Sequence, residues 1–357
     1  MRRVLSILLA GMVPALSACD APAASVEAPV QGRAAAIEAL FDEDAVGETR
    51  ALLIMHDGQV VTERYGPGYG PQTRFTGWSL SKTVTAVMIG MMVDDGKFAL
   101  EDRAPVPQWQ GDTRKRITMR DLLQMHSGLA HVEDGEAIDA SDTIRMLYRD
   151  GRDDAAAFAA AQVQKRRHGI AFNYTTPGTV LLADIATRAL TASPDPQTRR
   201  EAMATYLQTR LFGPVGMDNT FAEYDRAGTL LGGSSIHAGA RDWARFGELL
   251  RHDGKVDGRQ IVSADWVEFM RTPSPDEPAH GAHLWLNRDR ESTRNPILFP
   301  ERGPPDLVAA LGHRGQFILV SPSQGLTIVR LGQTQSEQMP ELFARLGDLT
   351  AQFDRNQ

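Results

Sequence analysis

Two apolar runs, Ala51-Leu52-Leu53-Ile54-Met55-His56 and Gln59-Val60-Val61-Thr62-Glu63-Arg64-Tyr65, flank the dipeptide Asp57-Gly58. Such a pair predicts a β-hairpin, because a two-residue turn between twisted strands wants residues that tolerate a positive φ. A second hairpin is predicted late in the chain: Gln316 to Val320, a Ser-Pro-Ser-Gln-Gly turn, then Leu326 to Leu331. Between them the pattern turns helical. Leu80, Val84, Val87, Met88 and Met91 share one face at helical spacing, and Gly96 closes that helix. Thr118 with Asp121 reads as a capping box opening a short helix through Leu122 and Leu123. Thr176-Pro177 reads as an N-cap with proline at the first helical position, backed by Val180, Leu181 and Ile185. Leu342, Leu346, Leu349 and Phe353 form an amphipathic stripe near the end. Strands at both ends and helices between predict an α+β fold, an α/β sandwich. Its antiparallel sheet is built from both chain ends and flanked by helices, with a mostly helical subdomain inserted at roughly residues 100–230.

Composition adds little to this until the N-terminus. At 357 residues with 42% hydrophobic and 23% charged positions, the chain suits one large globular domain or two interlocked ones. A net charge of -7 gives no electrostatic footprint for nucleic acid. The single cysteine, Cys19, excludes an intramolecular disulfide. Met1-Arg2-Arg3 and the mostly apolar stretch Val4 to Leu16 are too short for a membrane span and read as a signal peptide. Leu16-Ser17-Ala18-Cys19 resembles the lipobox of bacterial lipoproteins, which implies acylation of the Cys19 thiol. Residues 1–19 are thus expected to be a lipoprotein signal peptide, 20–35 a flexible Ala/Pro/Ser/Val tether, and 36–357 the folded domain. The expected location is the periplasmic side of a bacterial membrane, reached through the lipid on Cys19 alone, with Asp20 favouring the inner membrane. An ordinary signal peptide with an incidental cysteine is the alternative.

The chemistry begins at Ser79-Leu80-Ser81-Lys82. Lysine is scarce, five residues in all, and Ser79 is the only serine with lysine three positions on. On a helix those two positions share a face, so hydroxyl and amine can meet. Ser79 also falls at the predicted helix N-terminus, where free N–H groups and the helix dipole favour developing negative charge. A serine hydroxyl is a weak nucleophile until a neighbour takes its proton, and a neutral lysine can do so. Keeping a lysine neutral takes burial or a nearby cation, so such a site must be enclosed. The plain alternative is a surface lysine beside a serine that caps its helix.

Two further segments bear on that choice. Phe172-Asn173-Tyr174-Thr175-Thr176-Pro177-Gly178 places a tyrosine just before a helix start, and Leu311-Gly312-His313-Arg314-Gly315-Gln316-Phe317 opens an apolar strand with a polar, glycine-bearing stretch. With Ser79 and Lys82 they stand in the order found in the serine β-lactamase and penicillin-binding-protein superfamily. The chain resembles its class C-like branch, including family VIII esterases and 6-aminohexanoate-oligomer hydrolases. The likeness covers about residues 36 to 350 and takes in Met119 to Leu129, Leu211 to Met217 and Arg241 to Gly247.

The resemblance implies an acyl-enzyme on Ser79, activated by Lys82, with Tyr174 as a second proton shuttle. It implies an oxyanion hole from the backbone N–H groups of Ser79 and Gln316, and substrate contacts from Thr176, His313, Arg314 and Gly315. Thr176 stands where many members have Asn, and His313-Arg314-Gly315 replaces Lys-Thr-Gly. These departures point to ester or small-amide hydrolysis over cephalosporin hydrolysis. A DD-carboxypeptidase or weak β-lactamase stays open, as does a non-catalytic binder of cell-wall peptide or protein. The mechanism needs no cofactor. Gly77-Trp78-Ser79-Leu80-Ser81 lacks the last glycine of a nucleophile elbow. His280 and His283, without a nearby carboxylate, read as surface residues, not as zinc ligands. His126 and Ser127 are expected to end a helix, and Trp243, Trp266 and Trp285 to pack, with Trp285 able to line a cleft.

Overall fold

The computed structural model describes residues 27–135, 137, 140–289 and 298–353. The signal stretch, the lipobox Cys19 and Asp20 lie outside the described residues. First in the chain come α1 (Glu27–Ala39), α2 (Glu43–Val46), the hairpin β1 (Glu48–His56) and β2 (Gln59–Tyr65), and β3 (Phe75–Thr76). Helices follow: α3 (Leu80–Asp94), α4 (Met119–Leu123), α5 (Asp142–Tyr148), α6 (Ala155–Ala161), α7 (Thr176–Leu190), α8 (Pro196–Leu207) and α9 (Gly213–Val215). Next are β4 (Thr220–Ala222), β5 (Ile236–Ala238), α10 (Ala240–Arg251), β6 (Lys255–Val256), β7 (Arg259–Gln260) and α11 (Ala264–Arg271). The chain closes with β8 (Trp285–Leu286), β9 (Val308–Gly312), β10 (Gln316–Ser321), β11 (Leu326–Gln333) and α12 (Met339–Ala351).

Both predicted hairpins form, and the main sheet joins them. Its order is β2-β1-β11-β10-β9-β8, and β1 pairs antiparallel with β11 from Glu48↔Gln333 to His56↔Leu326. Asp57 and Gly58 take φ of 48° and 78°, as the tight turn between β1 and β2 requires. Successive side chains on these strands enter opposite cores. Leu52, Ile54, Phe317, Leu319 and Ile328 pack with Leu342, Leu346, Leu349 and Phe353 at α12. Ala51, Leu53, Ile318, Val320 and Val329 instead meet Val84, Val87 and Met88 of α3 and Trp243 and Phe246 of α10. Every residue of β10 is buried, because helices cover both sheet faces.

Three sequence expectations change. The tether does not run to residue 35, since α1 starts at Glu27; Arg33-Ala34-Ala35-Ala36-Ile37 favours helix, and Ala36 and Ile37 pack against the α12-side core. α3 is not amphipathic. Residues Leu80 to Met92 are all buried, as the helix runs through the interior with α7, α11 and the sheet around it. The cap of α7 is Thr175, one residue earlier than expected, and Thr176 is the first helical residue. Glu133, from a loop 43 residues earlier, accepts the Thr176 N–H and takes the capping role.

Candidate active site

Ser79 sits immediately before α3, at its N-cap position, but its hydroxyl does not cap the helix. The residue before it, Trp78, has a left-handed backbone with φ of 49°, a costly conformation for a bulky side chain. The Ser79 hydroxyl lies 2.9 Å from Lys82 Nζ, as the three-residue spacing predicts. Lys82 is 2% exposed, so its amine is enclosed, while half-buried Ser79 lines the cleft. Its amine has two further partners, Thr176 Oγ1 at 2.7 Å and the Gly233 carbonyl at 3.0 Å.

Thr176 is held from its other side by Glu133, a residue the sequence did not single out. The Glu133 carboxylate accepts the Thr176 hydroxyl proton on Oε1 and the Thr176 backbone N–H, at 2.7 Å, on Oε2. A remote carboxylate thus caps α7, which is why the Thr176 hydroxyl is not the cap. Glu133 Oε1 stands 3.8 Å from Lys82 Nζ, and His131 Nε2 reaches Oε2 at 2.9 Å. Burial alone would raise the Glu133 pKa, but the Lys82 charge and the His131 and Thr176 hydrogen bonds bring it down to about 2. The carboxylate is therefore ionised at any working pH. Glu133 belongs to the loop between α4 and α5, where no hydrophobic period marks it.

Tyr174 presents its ring to Lys82, the centroid 4.9 Å from Nζ. Trp285 stacks on that ring and lines the cleft, as expected of it alone among the three tryptophans; Trp243 and Trp266 are core residues. His280 packs edge-on to both Tyr174 and Trp285. Two histidines depart from their expected surface positions: His280 is 1% and His283 4% exposed. His283 Nε2 lies 3.0 Å from Thr179 Oγ1. Burial, reinforced by the Lys82 charge, lowers its pKa to about 3, so it stays neutral. His126 is likewise buried; it lies past the end of α4 and bonds Asp276.

The opposite wall is the end of β9. Gly312 runs so close to the chain before Ser79 that a Cβ there would sit 2.3 Å from the Gly77 carbonyl oxygen. The His313 ring meets Trp78 edge-on at 5.5 Å, and burial together with the Arg314 charge lowers its pKa. The residues of β9 and the turn after it that border the cleft are Leu311, Gly312, His313 and Arg314. Gly315 and Gln316, expected beside the substrate, are not among them. The Gly315 carbonyl accepts from buried Arg330 Nη1 at 2.8 Å, and a Cβ at Gly315 would meet that same atom, so this residue faces the interior. The Gln316 side chain is spent on the His313 and Gly332 carbonyls and the Gly332 N–H. The turn carries positive φ at Arg314 and Gly315, 61° and 85°, and it swings these residues past the cleft.

The cleft has a volume of about 580 Å³. Ser79, Tyr174 and Thr176 form its floor with Glu133 and Asp134, and Ile144, Leu147, Tyr148 and Trp285 supply an apolar wall. Among its described lining residues the one permanent cation is Arg314, whose guanidinium bonds Gln335.

A family profile described as Beta-lactamase matches residues 37–351. The 6-aminohexanoate-dimer hydrolase of Paenarthrobacter ureafaciens is 26% identical over 301 residues, which cover 79% of this chain and 72% of that protein. Among solved structures, a β-lactamase from Mycobacterium bovis superimposes with a TM-score of 0.62 at 18% identity, covering 88% of this chain and 97% of its own. A family VIII carboxylesterase gives 0.64 at 16% identity, over 89% and 97%.

Proposed function

The chain belongs to the β-lactamase family and is a serine hydrolase of that family, and on this premise we propose that it cleaves a neutral ester or small amide through an acyl-enzyme on Ser79. The observation that carries the reading is the buried Lys82 amine, 2.9 Å from the Ser79 hydroxyl. Lys82 takes the hydroxyl proton, and the freed electron pair on Oγ attacks the substrate carbonyl carbon. The carbonyl π pair moves to oxygen, where backbone N–H groups receive it. The Ser79 N–H at the start of α3 is one donor. The other is drawn from the end of β9 at Gly312 and His313, which border the cleft, in place of Gln316. As the intermediate collapses, the leaving alcohol or amine takes the proton held by Lys82, directly or relayed through the Tyr174 hydroxyl, so both groups return to their starting forms. Water then repeats the sequence and frees Ser79.

The lining supports a neutral substrate. Two carboxylates, Glu133 and Asp134, face the cleft, and His313 is held towards its neutral form. β-Lactams and D-alanyl peptides carry a carboxylate, and here it would meet like charge with only Arg314 to offset it. The wall of Ile144, Leu147 and Trp285 suits an aliphatic or aromatic acyl group.

The test is mass spectrometry of the protein after exposure to a fluorophosphonate. One adduct on Ser79, absent from Ser79→Ala, is expected, with faster turnover of short-chain p-nitrophenyl esters than of nitrocefin or a D-Ala-D-Ala peptide. No adduct, or preferential cleavage of the carboxylate-bearing substrates, overturns the reading.

A further inference from the structure

We propose that Glu133 is a positioning residue for the Ser79–Lys82 pair, setting through the Thr176 hydroxyl the direction in which the Lys82 amine points. The inference rests on the assignment of Ser79 as nucleophile and Lys82 as its base.

An ionised Glu133 can only accept, so the single Thr176 hydroxyl proton is committed to Oε1. Thr176 Oγ1 then meets Lys82 Nζ, 2.7 Å away, only as an acceptor. The Gly233 carbonyl, at 3.0 Å, can also only accept. A neutral Lys82 has two N–H groups, and both are thereby assigned. Its lone pair is left for the third neighbour, the Ser79 hydroxyl at 2.9 Å. After Lys82 takes the Ser79 proton the same three heavy atoms accept the three N–H bonds of an ammonium. The proton moves without any side chain having to turn. Without Glu133, the Thr176 hydroxyl could rotate and donate to Lys82, drawing the lone pair away from Ser79.

Glu133 is itself built in. Its backbone carbonyl accepts from Ser141 Oγ at 2.6 Å, and Val132 and Asp142 bond each other through Val132 N–H to Asp142 Oδ2 and Asp142 N–H to the Val132 carbonyl. His131, 1% exposed, clamps Oε2 and also lies 3.0 Å from Thr143 Oγ1. These contacts tie the carboxylate to the start of α5, which adjoins the cleft. The other titratable groups facing the pair are few. Tyr174 lies over Lys82, neutral His283 is buried behind it, and His131 with Asp142 3.8 Å from its Nδ1 stands behind Glu133. Asp134 follows in the loop and lines the cleft with His313.

Glu133 also places a fixed negative charge 3.8 Å from Nζ. It steadies the ammonium formed in each half-reaction.

The experiment follows fluorophosphonate acylation of Ser79 from pH 5 to 10 in the full chain and in Glu133→Gln, Thr176→Val and Thr176→Ser. In Glu133→Gln the limiting rate at high pH should fall on the order of 10–100-fold. The pH at which acylation rises should also move down, since a nearby opposite charge is gone. Thr176→Val should lower the limiting rate with the rise left in place, and Thr176→Ser should restore it. A lowered rate in Glu133→Gln with an unmoved rise overturns the proposal, and so does a profile unchanged within twofold. If Glu133→Gln does not fold, the threonine pair decides: valine as fast as serine overturns it. A wild-type protein that is not acylated at any pH removes the Ser79 assignment, and this inference with it.

Discussion

The indole of Trp285 lies stacked on the ring of Tyr174, their centroids 5.6 Å apart and their planes at 27°. Trp285 is on the edge strand β8, paired with Ala309, whereas Tyr174 precedes α7 by two residues. His280 closes the group edge-on, 4.8 Å from Trp285 and 6.1 Å from Tyr174, and Phe172 packs on His280 at 5.0 Å. The edge of the sheet therefore holds in place a ring that faces Lys82.

Aromatic pairs of this kind contribute about 0.5–1.5 kcal/mol beyond the area they bury. Trp285→Ala should thus release Tyr174 at modest cost to the fold. The expectation is a fall in kcat for a p-nitrophenyl ester of about tenfold, with a Tm loss of only a few degrees. Trp285→Phe should keep most of the activity. Equal kcat in Trp285→Ala and wild type would show that the stack does not hold Tyr174 for chemistry.

Gly312 offers a sharper test of the β9 wall. An alanine Cβ would press on the Gly77 carbonyl at 2.3 Å, and backbone cannot swing away as a side-chain tip can. The strand must shift away from Trp78 and Ser79, carrying the His313 end with it. Gly312→Ala should lower kcat on the order of 10²-fold, the usual effect of a displaced oxyanion donor, and cost about 1–3 kcal/mol of stability. Gln316→Ala should instead spare the chemistry and weaken the turn. An unchanged kcat in Gly312→Ala would show that this strand end supplies no oxyanion donor.

Two ionisable groups make the fold sensitive to acid in two overlapping windows. His283 is held to about 3 in the folded chain against an ordinary 6.5, so the unfolded chain binds the proton first. Stability is lost as the pH falls from 6.5 towards 3. Glu133 is held to about 2 against 4.5, so its contribution is present above 4.5 and is lost as the pH falls towards 2. Each group contributes a slope of about 1.4 kcal/mol per pH unit within its own window. Denaturant unfolding across pH should show both slopes. His283→Gln should flatten the range from 6.5 to 4.5, and Glu133→Gln should reduce the slope below 4.5, where His283 still contributes down to about 3; an unchanged slope in either variant would show that its group does not contribute.

The local features of this chain were legible in its sequence because local physics sets them. Asp57-Gly58 between two apolar runs makes a turn wherever it stands, and Thr118 with Asp121 closes its capping box within four residues. Ser79 and Lys82 meet because a helix places residues three apart on one face. The joining of β1 to β11 agrees with strands at both ends and helices between, an order that permits a shared sheet without requiring it.

What the tertiary structure decided is what depends on distant segments meeting. Glu133 reaches Thr176 across 43 residues, from a loop whose pattern marks nothing. His280 and His283 read as surface residues because a loop has no period from which burial can be inferred; packing by Phe172, Trp285 and Thr179 encloses them. That Gln316 does not border the cleft was hidden for a related reason. The sequence shows a glycine-bearing strand, but left-handed backbone at Arg314 and Gly315, fastened from behind by Arg330, turns the chain so that β9 ends at Gly312. Spacing along a single helix or turn is set by bonds a few residues long. The carboxylate that orients a lysine, and the strand end that borders a nucleophile, are set by contacts that exist only once the core has closed.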